Sequence, residues 1–457
     1  MTLPSKLGII RQTQLNEERN AFQLPIDKPE KYKFFSYQED KMFIGDIMKF
    51  KFLLVLLIIT PLLAGNSIFS FDGMPLRYYG NDVYGLGMGD TGNSDLHRLN
   101  PNFDNPSITV STNKVLFSTA ISLGYFWYQD ETDNSFRDDG MYLPFFQLAV
   151  PLGNHRVGFN FNSILSGNLE NRRETSFITS GGDTLAYSET NRLLSTVYKG
   201  DLIYAYKNPI LNVGISLNYY LGHRIRYWKL DFSDANYTDT KYEVERLFKN
   251  PGYTVGVSKK IGGLSLSAAY SSKAELKGDV KLKYGHQPYA DTLSLADNSL
   301  FEIPARISGG GTFKFGEKYK IAAEVQYEMW QDTAQYDKNV LKIGAGLGYD
   351  PLSGYGTWYE RIPLRIGGYL RELPFEKNNE KIMEQALTLG TSILLKSANN
   401  KIDLAVQYLR RGSVDLNGIE DSSLMLTIGI TGFDIFQKQL KKIEDRDIPK
   451  ADIRLAE

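Results

Sequence analysis

From about Lys114 to Phe433 the chain alternates apolar and polar residues, segment after segment, with a turn between one segment and the next. In Asn212–Leu230 the odd positions are Val213, Ile215, Leu217, Tyr219, Leu221, His223, Ile225 and Tyr227. The even positions are Asn212, Gly214, Ser216, Asn218, Tyr220, Gly222, Arg224 and Arg226. Successive side chains of a strand point to opposite faces, so this segment is oily on one face and polar on the other. One such strand constrains little. A long series of them behind an export signal requires a closed barrel, with its apolar face to lipid and its polar face to water.

The pattern predicts an all-β, antiparallel transmembrane barrel of about fourteen strands. They are expected near Val115–Gln129, Met141–Val150, Arg156–Leu165, Tyr198–Tyr206, Leu211–Leu230, Tyr253–Lys259, Leu264–Ser272 and Ile303–Phe315. The others fall near Lys320–Trp330, Val340–Tyr349, Ile362–Arg371, Gln385–Leu395, Ile402–Arg410 and Leu424–Gly432. Tight connections such as Pro151-Leu152-Gly153-Asn154, Lys207-Asn208-Pro209 and Gly316-Glu317-Lys318 alternate with long polar ones. The long ones, Asp130–Gly140, about Ser166–Lys199, Asp231–Asn250 and Lys273–Glu302, read as outer loops, the tight ones as periplasmic turns. Asp350–Glu360 is long where this register calls for a turn.

Ahead of the strands, Met48-Lys49-Phe50-Lys51, the apolar run Phe52–Leu63 and the small residues Ala64-Gly65-Asn66-Ser67 have the order of a secretory signal peptide, taken as residues 48–70. The apolar run is short of the roughly 20 residues a membrane-spanning helix needs. Polar residues Met1–Ile47 precede it, which reads as a start codon placed too early, or an extension. From Phe71 to Asn113 the alternation fails; Gly85, Gly87 and Gly89 and then Asn100-Pro101 and Asn105-Pro106-Ser107 indicate compact, turn-rich structure folded into the lumen as a plug. After Phe433, Asp434–Glu457 is a charged, solvated periplasmic tail.

Composition fits this class. Hydrophobic residues are 42% of 457, charged ones 23%, and the net charge is −1, a soluble-looking average expected when half of each strand is polar. The 29 Tyr and 25 Phe suit interfacial girdles. There is no cysteine, which excludes disulfides and thiolate chemistry, and the balanced charge gives nucleic acid no footing.

The Gly-rich segment, the Asn105-Pro106-Ser107 triplet and about fourteen strands together resemble the FadL/TodX family of outer-membrane transport proteins. That family's motif is Asn-Pro-Ala after an Ala-rich run; here serine stands third and Asn93–Asn102 replaces the run. The resemblance implies an outer-membrane location in a Gram-negative-type envelope. It also implies plug-gated uptake of hydrophobic or amphipathic molecules of the long-chain fatty acid kind, with gating at Gly85, Gly87, Gly89, Asn105, Pro106 and Ser107. The closing Leu426–Phe433 with its charged tail also looks like FadL-related barrels that serve as secretion accessories. The alternative function is therefore a barrel that binds protein partners through its loops and tail. Expected partners are membrane lipids, an apolar ligand, the barrel-assembly machinery and a protein partner, with no cofactor.

Parity assigns lumen-facing charge: Glu324, Gln326 and Glu328 share one face, and Lys342 lies on the polar face of the next strand. Arg306 and Lys314, Arg365 and Arg371, Asp403 and Gln407, and Arg224 and Arg226 follow. These form a conduction path or, more simply, a charge network that fills the barrel, since buried polar groups need partners. Gly309-Gly310-Gly311 marks a lateral opening or a packing accommodation. No enzyme is expected: the four histidines, His97, His155, His223 and His286, have neither a nucleophile motif nor metal-ligand spacing. Tyr237, Tyr242, Tyr284, Tyr289 and Phe301 in the long loops could capture an apolar ligand or stiffen the loops.

Overall fold

The computed structural model describes residues 67–433, apart from 71–75, 78–81, 133–134, 179–180, 183, 235, 287–288, 335, 337, 352–358 and 396–399. Residues 1–66, with most of the expected leader, and the tail Asp434–Glu457 lie outside the described residues. So does the centre of the long Asp350–Glu360 connection.

The sheet begins with β1 (Leu116–Asp130), β2 (Ser135–Tyr142 and Phe145–Leu152), β3 (His155–Ile178), β4 (Thr184–Tyr206), β5 (Asn212–Phe232) and β6 (Thr240–Ile261). It continues with β7 (Leu264–Ser271 and Ala274–His286), β8 (Tyr289–Ile303 and Arg306–Phe315), β9 (Tyr319–Glu328) and β10 (Val340–Tyr349). The last four are β11 (Leu364–Lys377), β12 (Glu380–Leu394), β13 (Lys401–Ser413) and β14 (Ile419–Phe433). Each pairs antiparallel with the next, and β14 returns to β1 from Ile419↔Asp130 to Phe433↔Leu116, closing a 14-strand barrel. Each expected strand falls on one of these staves. Three staves are broken. Pro144 and Pro304 interrupt β2 and β8, where a residue without an N–H cannot serve the ladder. At the break in β7, Ser272 keeps the contact through its own N–H to the Tyr253 carbonyl at 2.9 Å.

The long loops expected between strands are mostly strand. The β3–β4 ladder runs on to Ile178↔Thr184, β5–β6 to Leu230↔Thr240, β7–β8 to His286↔Tyr289 and β1–β2 to Gln129↔Ser135. Beyond the bilayer both faces of a hairpin meet water. The apolar–polar alternation therefore vanishes from the sequence while the backbone ladder continues.

The two faces are inverted relative to a soluble protein. On β5, Leu217 is 60% exposed while its neighbours Ser216 and Asn218 are 2% and 3% exposed. The bare apolar face is what lipid covers. Aromatic rings gather where that band ends. Phe313, Phe315, Tyr319 and Tyr349 lie in sequence at the turn end with centroids 5.4–6.2 Å apart, and Trp127 stacks on Tyr408 nearer the hairpin end. Such rings sit favourably at headgroup level.

Candidate functional site

The described residues between Ser67 and Thr112 lie in the interior, from the hairpin end to the turn end. At the hairpin end Ser67 donates to Asp421, and Phe69 packs with Leu76, Leu373 and Ile382. Residues 67–70, at the end of the expected leader, are thus inside the barrel. Lower down, Leu76 and Arg77 pair with Ser166 and Leu165, beside the β3 bulge at Ser163/Leu165. Asp82 caps the single helical turn Val83–Leu86 by accepting from the N–H groups of Tyr84 and Gly85. At the turn end the Arg156 guanidinium binds the Thr112 carbonyl, just before β1 begins.

Gly85, Gly87 and Gly89 are sites of close approach. A Cβ on Gly85 would lie 1.9 Å from the Thr91 oxygen, and one on Gly87 2.8 Å from the Cα of Gly390. Gly89 has φ +76° and would place a Cβ 2.4 Å from Ala345 O and 2.5 Å from Gly368 O. The wall answers with its own glycines, Gly344, Gly346, Gly367 and Gly390, against the same residues 87–89. Backbone is laid on backbone. Asn105-Pro106-Ser107 is seated likewise on Gly214 and Gly256: a Cβ on Gly256 would fall 2.1 Å from Asn105 Oδ1. Asn105 accepts from the Ser107 N–H and hydroxyl at 3.1 and 2.8 Å and donates to the Asn93 carbonyl at 3.2 Å.

Charge locks the segment to the wall. Glu324 accepts from the N–H groups of Gly92 and Ser94 at 2.6 and 3.1 Å, and Lys342 pairs with Asp90. Lys320 meets Asp95 at 3.3 Å. Arg306 and Lys199 hold Asp104 at 3.0 and 3.4 Å. Burial alone would raise the Asp104 carboxyl, but these two cations outweigh it and hold it well below the usual carboxylate range. Asp95 is likewise buried, yet Lys320 and Arg98 bring it down to about 2. Tyr84 lies at the centre, its ring 3.8 Å from the Arg365 guanidinium carbon and 4.5 Å from that of Arg98. Its hydroxyl donates to Asp350 at 2.5 Å, which gives the long turn-end connection an inward contact.

Of the residues assigned to the lumen by parity, Glu324, Glu328, Arg306, Arg365 and Asp403 are each at most 5% exposed. Their partners include groups parity did not reveal. Glu328 takes Arg77 and the Trp330 indole, and Asp403 takes Lys401 at 2.9 Å and Arg365 at 3.5 Å. Arg224 and Arg226 also face inward but stand apart from this network, nearer the hairpin end. The acids of the inserted segment, Asp82, Asp90, Asp95 and Asp104, were missed, because an irregular segment has no parity to read. Gly310 faces inward, where a Cβ would lie 2.5 Å from the Glu324 side chain, while Gly309 faces outward. The glycine run therefore makes room for Glu324, which is a packing accommodation.

Toward the hairpin end, Tyr220, Phe248, Phe301, Trp330 and Tyr336 form an apolar cluster with Leu165, Leu276 and Val340. Phe301 is the member of the expected loop aromatics that turns inward; Tyr242 and Tyr284 are exposed, and the side chain of Tyr289 lies outside the described residues. His223 faces outward and His97 lies in the inserted segment. His155, expected in a tight turn, is instead the first residue of β3, paired with Leu152 and Tyr206 just past the Gly153-Asn154 turn.

A family model described as BamG matches residues 47–441. No curated protein matches the chain. Among solved structures the monoaromatic hydrocarbon channel CymD is similar at a TM-score of 0.53 and 14% identity, covering 79% of this chain and 98% of its own. The Pseudomonas putida toluene transporter TodX has a TM-score of 0.50 at 15% identity, with 78% and 98% covered. A Pseudomonas aeruginosa FadL homologue has 0.52 at 12%, with 79% and 99% covered. At these identities the likeness is one of fold, that of FadL-type outer-membrane barrels.

Proposed function

The chain belongs to the BamG family, and on that premise we propose that it is an outer-membrane barrel of FadL type acting as an accessory to protein partners, its lumen held shut. The observation that carries this reading is the locking of residues 82–104 into the wall by Asp90–Lys342, Asp95–Lys320 and Asp104–Arg306. Removing one partner of a buried pair costs roughly 3–5 kcal/mol, so an open route would require several such losses together. BamG membership also supports a protein-partner role. The barrel is read as non-catalytic. In this reading the Gly85–Gly89 and Asn105–Ser107 contacts keep a plug in place instead of gating flow.

The test has two arms. The purified barrel in planar bilayers is expected to show no steady conductance. Photo-crosslinking in the native membrane is expected to trap a protein, lost on deleting Asp434–Glu457 while the barrel still folds. Steady conductance with no crosslinked protein would refute the reading.

A second reading, uptake of hydrophobic or amphipathic small molecules, is favoured by the Phe248–Phe301–Trp330–Tyr336 cluster inside a fold shared with hydrocarbon channels. A stoichiometric amphiphile co-purifying in mild detergent, and lost on mutating these rings, would establish it.

A further inference from the structure

Deeper in the lumen the arginines meet carboxylates: Arg306 meets Asp104, Arg365 meets Asp403, and Arg371 and Arg411 meet Glu384. Above the aromatic cluster this rule breaks. Arg224 on β5 lies directly opposite Arg246 on β6, and Ser195 on β4 lies directly opposite Arg224. Like charges facing each other across strands are destabilising. Among the described residues neither arginine has an acid in ion-pair range.

Three further facts converge on this row. Ser195 is 1% exposed, and its hydroxyl has no hydrogen-bond partner among the described residues. The Arg246 Nε is buried and unpartnered. The Tyr336 hydroxyl, on a side chain 6% exposed and in the same cluster as Phe248, is also unpartnered. All four groups can donate, guanidinium can only donate, and a buried donor without an acceptor is costly. One oxyanion would satisfy them together, and paired guanidinium groups suit a planar carboxylate in particular.

The row faces the lumen, so a bilayer lipid does not reach it. Arg226, one step nearer the hairpin end, is exposed, so access is from the outer mouth. Beneath the row, Phe248, Phe301, Trp330 and Tyr336 pack ring against ring with centroids 4.8–6.4 Å apart. We propose that the Ser195–Arg224–Arg246 row with Tyr336 is an anion site that receives a carboxylate on an acidic segment of a protein partner. This rests on the accessory reading above.

The probe is fluorescein-labelled hexa-glutamate, titrated by anisotropy against the full-length barrel in nanodiscs. Binding is expected to weaken with salt, and at least tenfold in Arg224→Gln/Arg246→Gln, while hexa-lysine does not bind. Arg246→Gln alone is expected to raise the melting temperature of the free barrel by relieving the opposed charges, which a misfolded variant would not do. Unchanged affinity in the double variant overturns the inference. So does displacement of the peptide by inorganic phosphate as effectively, molecule for molecule, as by unlabelled hexa-glutamate. A protein partner captured equally by wild type and double variant overturns this inference alone. A wild type that binds hexa-glutamate yet crosslinks to no protein overturns the accessory reading instead.

Discussion

Replacing Gly346 by alanine tests whether the lumen is closed by backbone contact. Gly346 faces inward on β10, and a Cβ there would lie 2.3 Å from the Met88 oxygen, 2.6 Å from its carbonyl carbon and 2.7 Å from its Cα. None of these atoms can swing aside. Against an ordinary contact of 3.4 Å the segment must retreat by about 1.1 Å, and a Cβ on Gly390 would already lie 3.0 Å from the Cα of Gly87 one residue away. The shift also pulls Asp90 from Lys342. Overpacking of this kind costs roughly 1–3 kcal/mol. If the segment opens locally, that raises the open population by about five- to 150-fold, at a factor of ten per 1.4 kcal/mol. Native-state thermolysin cleavage within residues 85–112 should accelerate accordingly, since cleavage tracks the open population when reclosing is fast. Gly309→Ala is the control: it adds a methyl to the same sheet, but outward, with its nearest atom at 3.6 Å. Equal cleavage of the two variants would refute the argument.

Acid should loosen the same segment. Asp95 titrates near 2 when folded and near 3.9 when unfolded, so its contribution is complete above about pH 4 and is lost as pH falls toward 2. Asp104, held low by Arg306 and Lys199 against burial, acts in the same direction, whereas burial raises Asp90 and works against both. Protease resistance is expected to fall over that window, and Asp95→Asn to flatten the fall while lowering resistance at neutral pH. Asn105→Ala removes the acceptor for Ser107 and the donor to Asn93, and should cost about 0.5–2 kcal/mol, read as faster cleavage near residue 105. Gly222→Ala places a Cβ 1.9 Å from the Phe248 ring; the ring must turn, and the Trp330 emission and near-ultraviolet dichroism should change without loss of the barrel.

What could be read in advance follows from what a bilayer imposes. Within the membrane a strand must be apolar on one face, so parity located the staves and the inward side of Glu324, Glu328, Arg306, Arg365 and Asp403. Outside it the constraint lapses, and Ser166–Lys199 looked like loop although its ladder is continuous. Parity says which face a charge is on and nothing about its partner. The inserted segment, having no parity, hid Asp90, Asp95 and Asp104 altogether. Yet the wall carried a trace of them. Lys320, Lys342, Lys199 and Arg306 face inward, and a lumen facing water alone would not need its cations matched one by one. The glycines are a second trace: Gly344, Gly346 and Gly348 alternate along β10 on its inward face, where a strand free of neighbours would gain by carrying side chains. A bare inward face on a strand is a footprint of backbone lying on it. The same logic marks the hairpin end by contrast, since there Arg224 and Arg246 keep their long side chains and their charge, and among the described residues no acid has been placed to meet them.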